Sequence, residues 1–319
     1  MIYFILIKNA KCRPHPKKIS AARKKTEMSF FKKQPKKLPK SGVKLPPVGA
    51  WEHYNKKQGI KAMPLLTNKR GRLLIDVSEL TLGYESHDVI NSLSFKVSAG
   101  DYISIVGENG SGKTTLMNTL LGLLPPKSGR ITFLDLKRNE IGYLPQISST
   151  ENDFPATVYE VVLSGCCNGR ILMPRTAAQT AFSNMEKLGI TSLSSRRFSE
   201  LSGGQRQRVL IARALCSAKK LLIMDEPVTA LDKNATADMY SLVSDLNRGG
   251  LTVISVTHDM RAALKYSNKI LYVSHGGAKL LSIDEFSRLE HISALISENG
   301  NSEASPYGEG GFRYTGGAV

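Results

Sequence analysis

The chain has 319 residues, 41% hydrophobic and 7% aromatic, which is enough apolar material for one large domain or two small ones. Its formal net charge of +17 is concentrated at one end: residues 1–72 hold 20 Lys and Arg against 2 Asp and Glu, while residues 73–319 hold 24 against 25. That distribution argues against a globular domain with a basic nucleic-acid face, and no specific nucleic-acid partner is expected. No apolar run approaches the roughly 20 residues that a membrane-spanning helix needs. The opening run Met1–Ile7 precedes the charges instead of following them, unlike a signal peptide. Cys12, Cys166, Cys167 and Cys216 show no disulfide-scaffold or metal-ligand spacing, and the six histidines are scattered. A reducing cytosol is the expected compartment.

Residues 8–70 are Lys-rich and contain recurrent Lys-Lys pairs with almost no acids. Such a segment buries too little apolar surface to offset its ordering entropy, so residues 1–72 are expected to be a basic, disordered extension. Met28 and Met63 are alternative starts. A polybasic patch on anionic lipid is the sharper reading, testable by liposome binding with and without the segment.

From Leu73 onward, short apolar runs alternate with turns and amphipathic stretches. Leu73–Ile75 and Tyr102–Val106 read as strands, Gly110–Leu124 as a helix and Ile131–Leu134 as a strand. Thr176–Leu188 and Gln205–Ser217 read as helices, Leu221–Met224 as a strand, Ala235–Asn247 as a helix and Leu251–Val256 as a strand. Several strands are near-continuous apolar, as strands covered on both faces are. The pattern predicts an α/β domain over 73–285. Residues 286–319, ending in the Gly-rich Gly300–Val319, read as a tail that is disordered at its end.

Gly107-Glu108-Asn109-Gly110-Ser111-Gly112-Lys113-Thr114-Thr115 fits the P-loop pattern between an apolar strand and a helix. Its glycines let backbone N–H groups converge on an anion, and the helix N-terminus adds partial positive charge. Lys113 is placed to reach β- and γ-phosphates and Thr114 to ligate Mg²⁺. Leu221-Leu222-Ile223-Met224 then carries Asp225 and Glu226 at its tip. Asp225 would complete the Mg²⁺ site and Glu226 would act as general base toward water.

Leu201-Ser202-Gly203-Gly204-Gln205, followed by Arg206-Gln207-Arg208 and ending twenty residues before Asp225, resembles the signature of ATP-binding-cassette (ABC) ATPases. The resemblance covers about 73–285. It implies a P-loop NTPase fold of ABC type: a mixed sheet core, an antiparallel β subdomain and an α-helical subdomain over about 147–205. It further implies that Tyr84 stacks on adenine, that Gln146 senses Mg²⁺ and the water, and that His258 holds the γ-phosphate. Asp232, in Ala230-Leu231-Asp232, would contact the opposite subunit. ATP would bind between the P-loop of one copy and the Leu201–Gln205 segment of another, so a homodimer is expected. Membrane permease subunits and an extracytoplasmic solute-binding protein would be the partners, and the cytoplasmic membrane face the location.

Asp153-Phe154-Pro155-Ala156-Thr157-Val158-Tyr159-Glu160-Val161-Val162-Leu163-Ser164-Gly165 resembles the corresponding stretch of zinc and manganese importer ATPases, and Val228 after Glu226-Pro227 fits the same branch. Import of iron-siderophore or cobalamin, and export, are the alternatives. A soluble, non-transport cassette is disfavoured: the chain has one cassette, and only 88 residues separate Lys113 from Leu201, without heptads. Salt-dependent RNA or DNA binding that vanishes without residues 1–62 would revive it.

Overall fold

The computed structural model describes residues 70–84, 87–146, 155–167, 176–228, 231–274 and 277–289. The basic segment to residue 69, Asp153-Phe154, Ala230 and Gly300–Val319 lie outside them. The described residues up to Cys166 and from Ala178 onward form one compact unit; of the other unit only Cys167, Thr176 and Ala177 are described.

In chain order the elements are β1 (Leu73–Tyr84), β2 (His87–Ser98), β3 (Tyr102–Gly107), α1 (Lys113–Leu120), β4 (Ser128–Phe133), β5 (Ile141–Leu144), α2 (Val158–Ser164), α3 (Ala177–Lys187), α4 (Gly203–Leu215), β6 (Leu221–Asp225), α5 (Lys233–Arg248), β7 (Thr252–Val256), α6 (Met260–Tyr266), β8 (Lys269–Ser274), β9 (Gly277–Ser282) and α7 (Ile283–Ser287). They make two sheets. One is antiparallel, in the order β2-β1-β4. The other runs β5-β6-β7-β3-β8-β9, parallel except for the antiparallel edge strand β9.

Every residue of β3, β6 and β7 is buried, as expected for central parallel strands covered on both faces. One apolar core joins the two sheets: Leu74, Leu80 and Leu82 of β1 pack with Ile103 and Ile105 of β3, Ile223 of β6 and Leu116 and Leu120 of α1. The antiparallel sheet is thereby fixed over the start of α1, which positions the site.

The element boundaries differ from the sequence reading in physically informative ways. β1 runs on to Tyr84, well past Ile75. Its alternation is interrupted because Glu79 has φ 49° and the pairing with β2 shifts register between Val77 and Leu80. The Glu79 carboxylate holds that bulge by accepting hydrogen bonds from the Ser92 and Ser94 hydroxyls. The helix read over Gly110–Leu124 is confined to Lys113–Leu120, since Gly112 is left-handed at the N-cap and the chain leaves the helix after Leu120. α4 begins two residues before Gln205, because Ser202 caps it.

Candidate functional site

The ends of three strands, β3, β6 and β7, and the β1–β2 hairpin meet around one cleft of about 310 Å³, lined by Tyr84, Val89, Asn109, Gly110, Gly112, Lys113, Thr114, Thr115, Glu226 and His258. The floor is the loop between β3 and α1. Gly107 must be glycine: a Cβ there would sit 1.9 Å from the Val273 carbonyl oxygen of β8. Gly112 (φ 103°) leaves no room either, since a Cβ would meet Val89 Cγ1 at 2.6 Å. The loop therefore passes against the sheet and under the hairpin with nothing to spare.

Lys113 opens α1 and is only 6% exposed. Its Nζ donates to the Gly107 and Glu108 carbonyls at 2.8 and 2.5 Å, so the ammonium curls back over the loop. Burial lowers its pKa, while the charges of Glu226, Asp225 and Glu108 oppose that shift. Ser111 is fully buried, and its hydroxyl has no hydrogen-bond partner. An orphaned hydroxyl inside a ring of loop amides, beside a buried ammonium, fits a polyphosphate.

The β6 tip supplies the acids. Asp225 is 7% exposed, and its pKa is pushed up to about 6, first by burial and then by Glu226; His258 and Lys113 pull it back. Glu226 follows in the left-handed region (φ 44°), a strained conformation for a residue with a side chain, with its N–H bonded to the Val256 carbonyl at 3.0 Å. This bend turns the carboxylate to the cleft wall. There Gln146 Nε2 donates to Oε2 at 2.7 Å, and His258 Nε2 lies 2.7 Å from Oε1. Three residues far apart in sequence, just after β5, β6 and β7, thus share one carboxylate. Thr114, Asp225 and Gln146, the residues that the sequence assigns to Mg²⁺, each offer a side-chain oxygen, and oxygen donors suit that ion.

Tyr84 ends β1, is 58% exposed and lies 3.5 Å by its hydroxyl from Thr115 Oγ1. Among the described residues it is one of few large exposed hydrophobic side chains, and it lines the cleft. Leu201, Ser202, Gly203, Gly204 and Gln205 do not line this cleft. Ser202 and Gln205 instead form a capping box on α4: Ser202 Oγ accepts from the Gln205 N–H at 3.4 Å, and Gln205 Oε1 accepts from the Ser202 N–H at 3.1 Å. Asp232 caps α5, accepting from the Ala235 N–H at 2.8 Å.

Two contributors escaped the sequence reading. Val89 lines the cleft from β2, and no motif marks it. Gln207 is 2% exposed, and its Nε2 donates to the Pro227 carbonyl, tying α4 to the residue after Glu226. Its spacing from Gln205 was visible, but its contact was not.

The comparisons with known proteins fit this site. The profile of the family described as ABC transporter matches residues 90–229. The chain is 38% identical over 204 residues to the manganese transport system ATP-binding protein MntB of Bacillus subtilis (strain 168), covering 62% of this chain and 82% of that protein. The chain belongs to the ABC transporter ATP-binding family. It is also 32% identical over 244 residues to the zinc transport system ATP-binding protein TroB of Treponema pallidum (strain Nichols), covering 72% of this chain and 92% of that protein. Among solved structures, a chain of an inward-facing ABC transporter assigned to the metal-chelate type superposes with TM-score 0.64 and 32% identity, over 71% of this chain and 90% of that one. CbiO1 of Clostridium perfringens superposes with TM-score 0.61 and 26% identity, over 71% and 99%. The fold is thus the α/β P-loop NTPase fold of ABC ATPases, and the chain is an ATP-binding, ATP-hydrolysing subunit that serves membrane permease partners. Among the described residues no helix is long and apolar enough to cross a membrane.

Proposed function

We propose that this chain powers import of a divalent transition-metal ion, manganese or zinc, by hydrolysing ATP·Mg²⁺ in the cleft above the β3–α1 loop. The observation that carries the hydrolytic reading is the convergence of Gln146 and His258 on the two carboxylate oxygens of Glu226 at the cleft wall. Tyr84 stacks on adenine. The amides of Gly107, Asn109, Gly110, Ser111, Gly112, Thr114 and Thr115 cradle the phosphates. The Lys113 ammonium exchanges its loop carbonyls for phosphate oxygens. Thr114, Asp225 and Gln146 would hold Mg²⁺, which would supply charge neutralisation to the phosphates. Glu226 takes the proton of the attacking water, and His258 donates to the γ-phosphate.

The site is completed by a second copy. Leu201–Gln205 and the N-terminal amides of α4 meet the γ-phosphate bound by the partner cassette, and the loop at Asp232 meets the partner's surface. ATP binding closes the homodimer, and hydrolysis with product release reopens it. The cassette sits peripherally on the cytoplasmic face, and an extracytoplasmic solute-binding protein delivers the ion. The manganese and zinc systems named for its relatives, together with the Asp153–Gly165 stretch, support the cargo.

Elemental analysis of cells lacking this chain, grown in metal-poor medium, tests the cargo. Manganese or zinc is expected to fall selectively and to recover with the wild-type chain but not with Lys113→Ala. Unchanged metals would overturn metal import and leave the ATPase standing.

A further inference from the structure

Away from the cleft, the ends of α2 and α4 carry a chemical feature that ATP hydrolysis does not use. Cys216 closes α4, and its thiol is placed to donate to the Val162 carbonyl oxygen of α2 at 3.4 Å and to that of Ala212 at 3.3 Å. Cys166 stands just past the C-terminal end of α2, and its thiol hydrogen-bonds the Cys216 sulfur. The two backbones touch here: a Cβ on Gly165 would fall 2.1 Å from the Arg213 carbonyl oxygen, and Arg213 Nε donates to Ser164 Oγ at 3.2 Å. Both cysteines are buried, 5% and 7% exposed.

The surroundings make the two sulfurs unequal. Asn184 of α3, itself 6% exposed, turns its Nδ2–H onto Cys216 Sγ at 3.5 Å. The Arg213 guanidinium adds positive charge. The hydrogen bond from Cys166, with the help of Asn184 and Arg213, lowers the Cys216 pKa against the opposing effect of burial. Donating that bond, and burial, raise the pKa of Cys166. Cys216 thus has the Asn184 amide and the Arg213 charge facing it, with a second thiol beside it.

We propose that Cys216 and Cys166 are an oxidisable pair that hydrogen peroxide converts to a disulfide cross-linking α2 to α4. The Cys216 thiolate attacks one peroxide oxygen and the O–O bond breaks, leaving a sulfenic acid on Cys216 and hydroxide, which takes up the proton lost by Cys216. Cys166 then attacks the sulfenic sulfur, the S–O bond breaks, and a second water leaves with the Cys166 proton. Two thiols are oxidised by two electrons, and one peroxide is reduced to two waters. A small oxidant suits a buried pair, and thiol–disulfide exchange with a cellular dithiol reverses the bond. The cross-link would join α4, which starts at the Leu201–Gln205 segment, to α2, which is capped by Thr157 in the stretch after Gln146. It is independent of the transported ion.

The test treats the reduced full-length protein with hydrogen peroxide, then denatures, alkylates and digests it for mass spectrometry. The expected product is a Cys166–Cys216 peptide pair, two hydrogens lighter than its parts and reopened by dithiothreitol, with alkylatable thiols falling from four to two per chain. Tm is expected to rise by about 4–16 °C, as a loop-closing disulfide in a domain of this size does. Cys167→Ser should leave the pair intact; Cys166→Ser should abolish it and send Cys216 on to sulfinic acid. Full alkylation of Cys166 and Cys216 after peroxide, or pairing of Cys216 with Cys12 or Cys167 instead, would overturn the proposal. The wild-type measurement decides the matter even if a variant fails to fold.

Discussion

At Asp225, burial works against the charge that the site requires. Its pKa is raised from the usual carboxylate range to about 6, so between about pH 4 and pH 6 the folded chain holds a proton that the unfolded chain has released. Stability from this group is therefore lost as pH rises through that window, and above it a buried carboxylate costs about 1–3 kcal/mol. Asp225→Asn removes the charge while keeping the shape. In denaturant titrations of the nucleotide-free protein, the variant should match wild type near pH 4 and exceed it by that amount near pH 7.5. A difference that does not change with pH would contradict the burial account. Most of the cleft was legible at this scale, because a P-loop fixes residue types at fixed offsets: Gly107, Gly112 and Lys113 stand where steric and charge arguments need them. What pattern cannot carry is a contact between distant segments. The shared bonds of Gln146 and His258 on Glu226, the closure of Gln207 on Pro227 and the presence of Val89 in the wall exist only after the sheet is assembled.

At the scale of elements, α4 gives Ser202 two separable duties. It caps the helix through the Gln205 N–H, and under the proposed mechanism its hydroxyl meets a partner's phosphate. Ser202→Ala should cost about 0.5–2 kcal/mol of stability, the usual loss for an N-cap. Ser202→Asp keeps a capping acceptor but sets a carboxylate against phosphate, so it should restore the melting temperature while ATPase activity stays low. Recovery of both by Asp would confine Ser202 to the cap. The central strands β3, β6 and β7 were readable as unbroken apolar runs, since both faces are covered. β2 and the far half of β1 were not, because the bulges at Glu79 and Ser92 break their alternation. β5 has four residues and α2, α6 and α7 have five to seven, too few turns or alternations to show a period.

At the scale of the molecule, one cassette holds only half of the proposed reaction site. The cleft carries the P-loop, Glu226 and His258, while Leu201–Gln205 lies outside its lining. Under the proposed mechanism a second copy would place the signature over the nucleotide, which would couple ATP occupancy to dimer closure. The most direct measurement is light scattering coupled to size-exclusion chromatography of Glu226→Gln with ATP and Mg²⁺, with turnover followed in parallel. The account predicts a stable dimer holding two ATP per pair of chains and turnover reduced by about 10²–10⁴-fold, the range that loss of a general base produces. Turnover equal to wild type, or a monomer that keeps its ATP without dimerising, would contradict it.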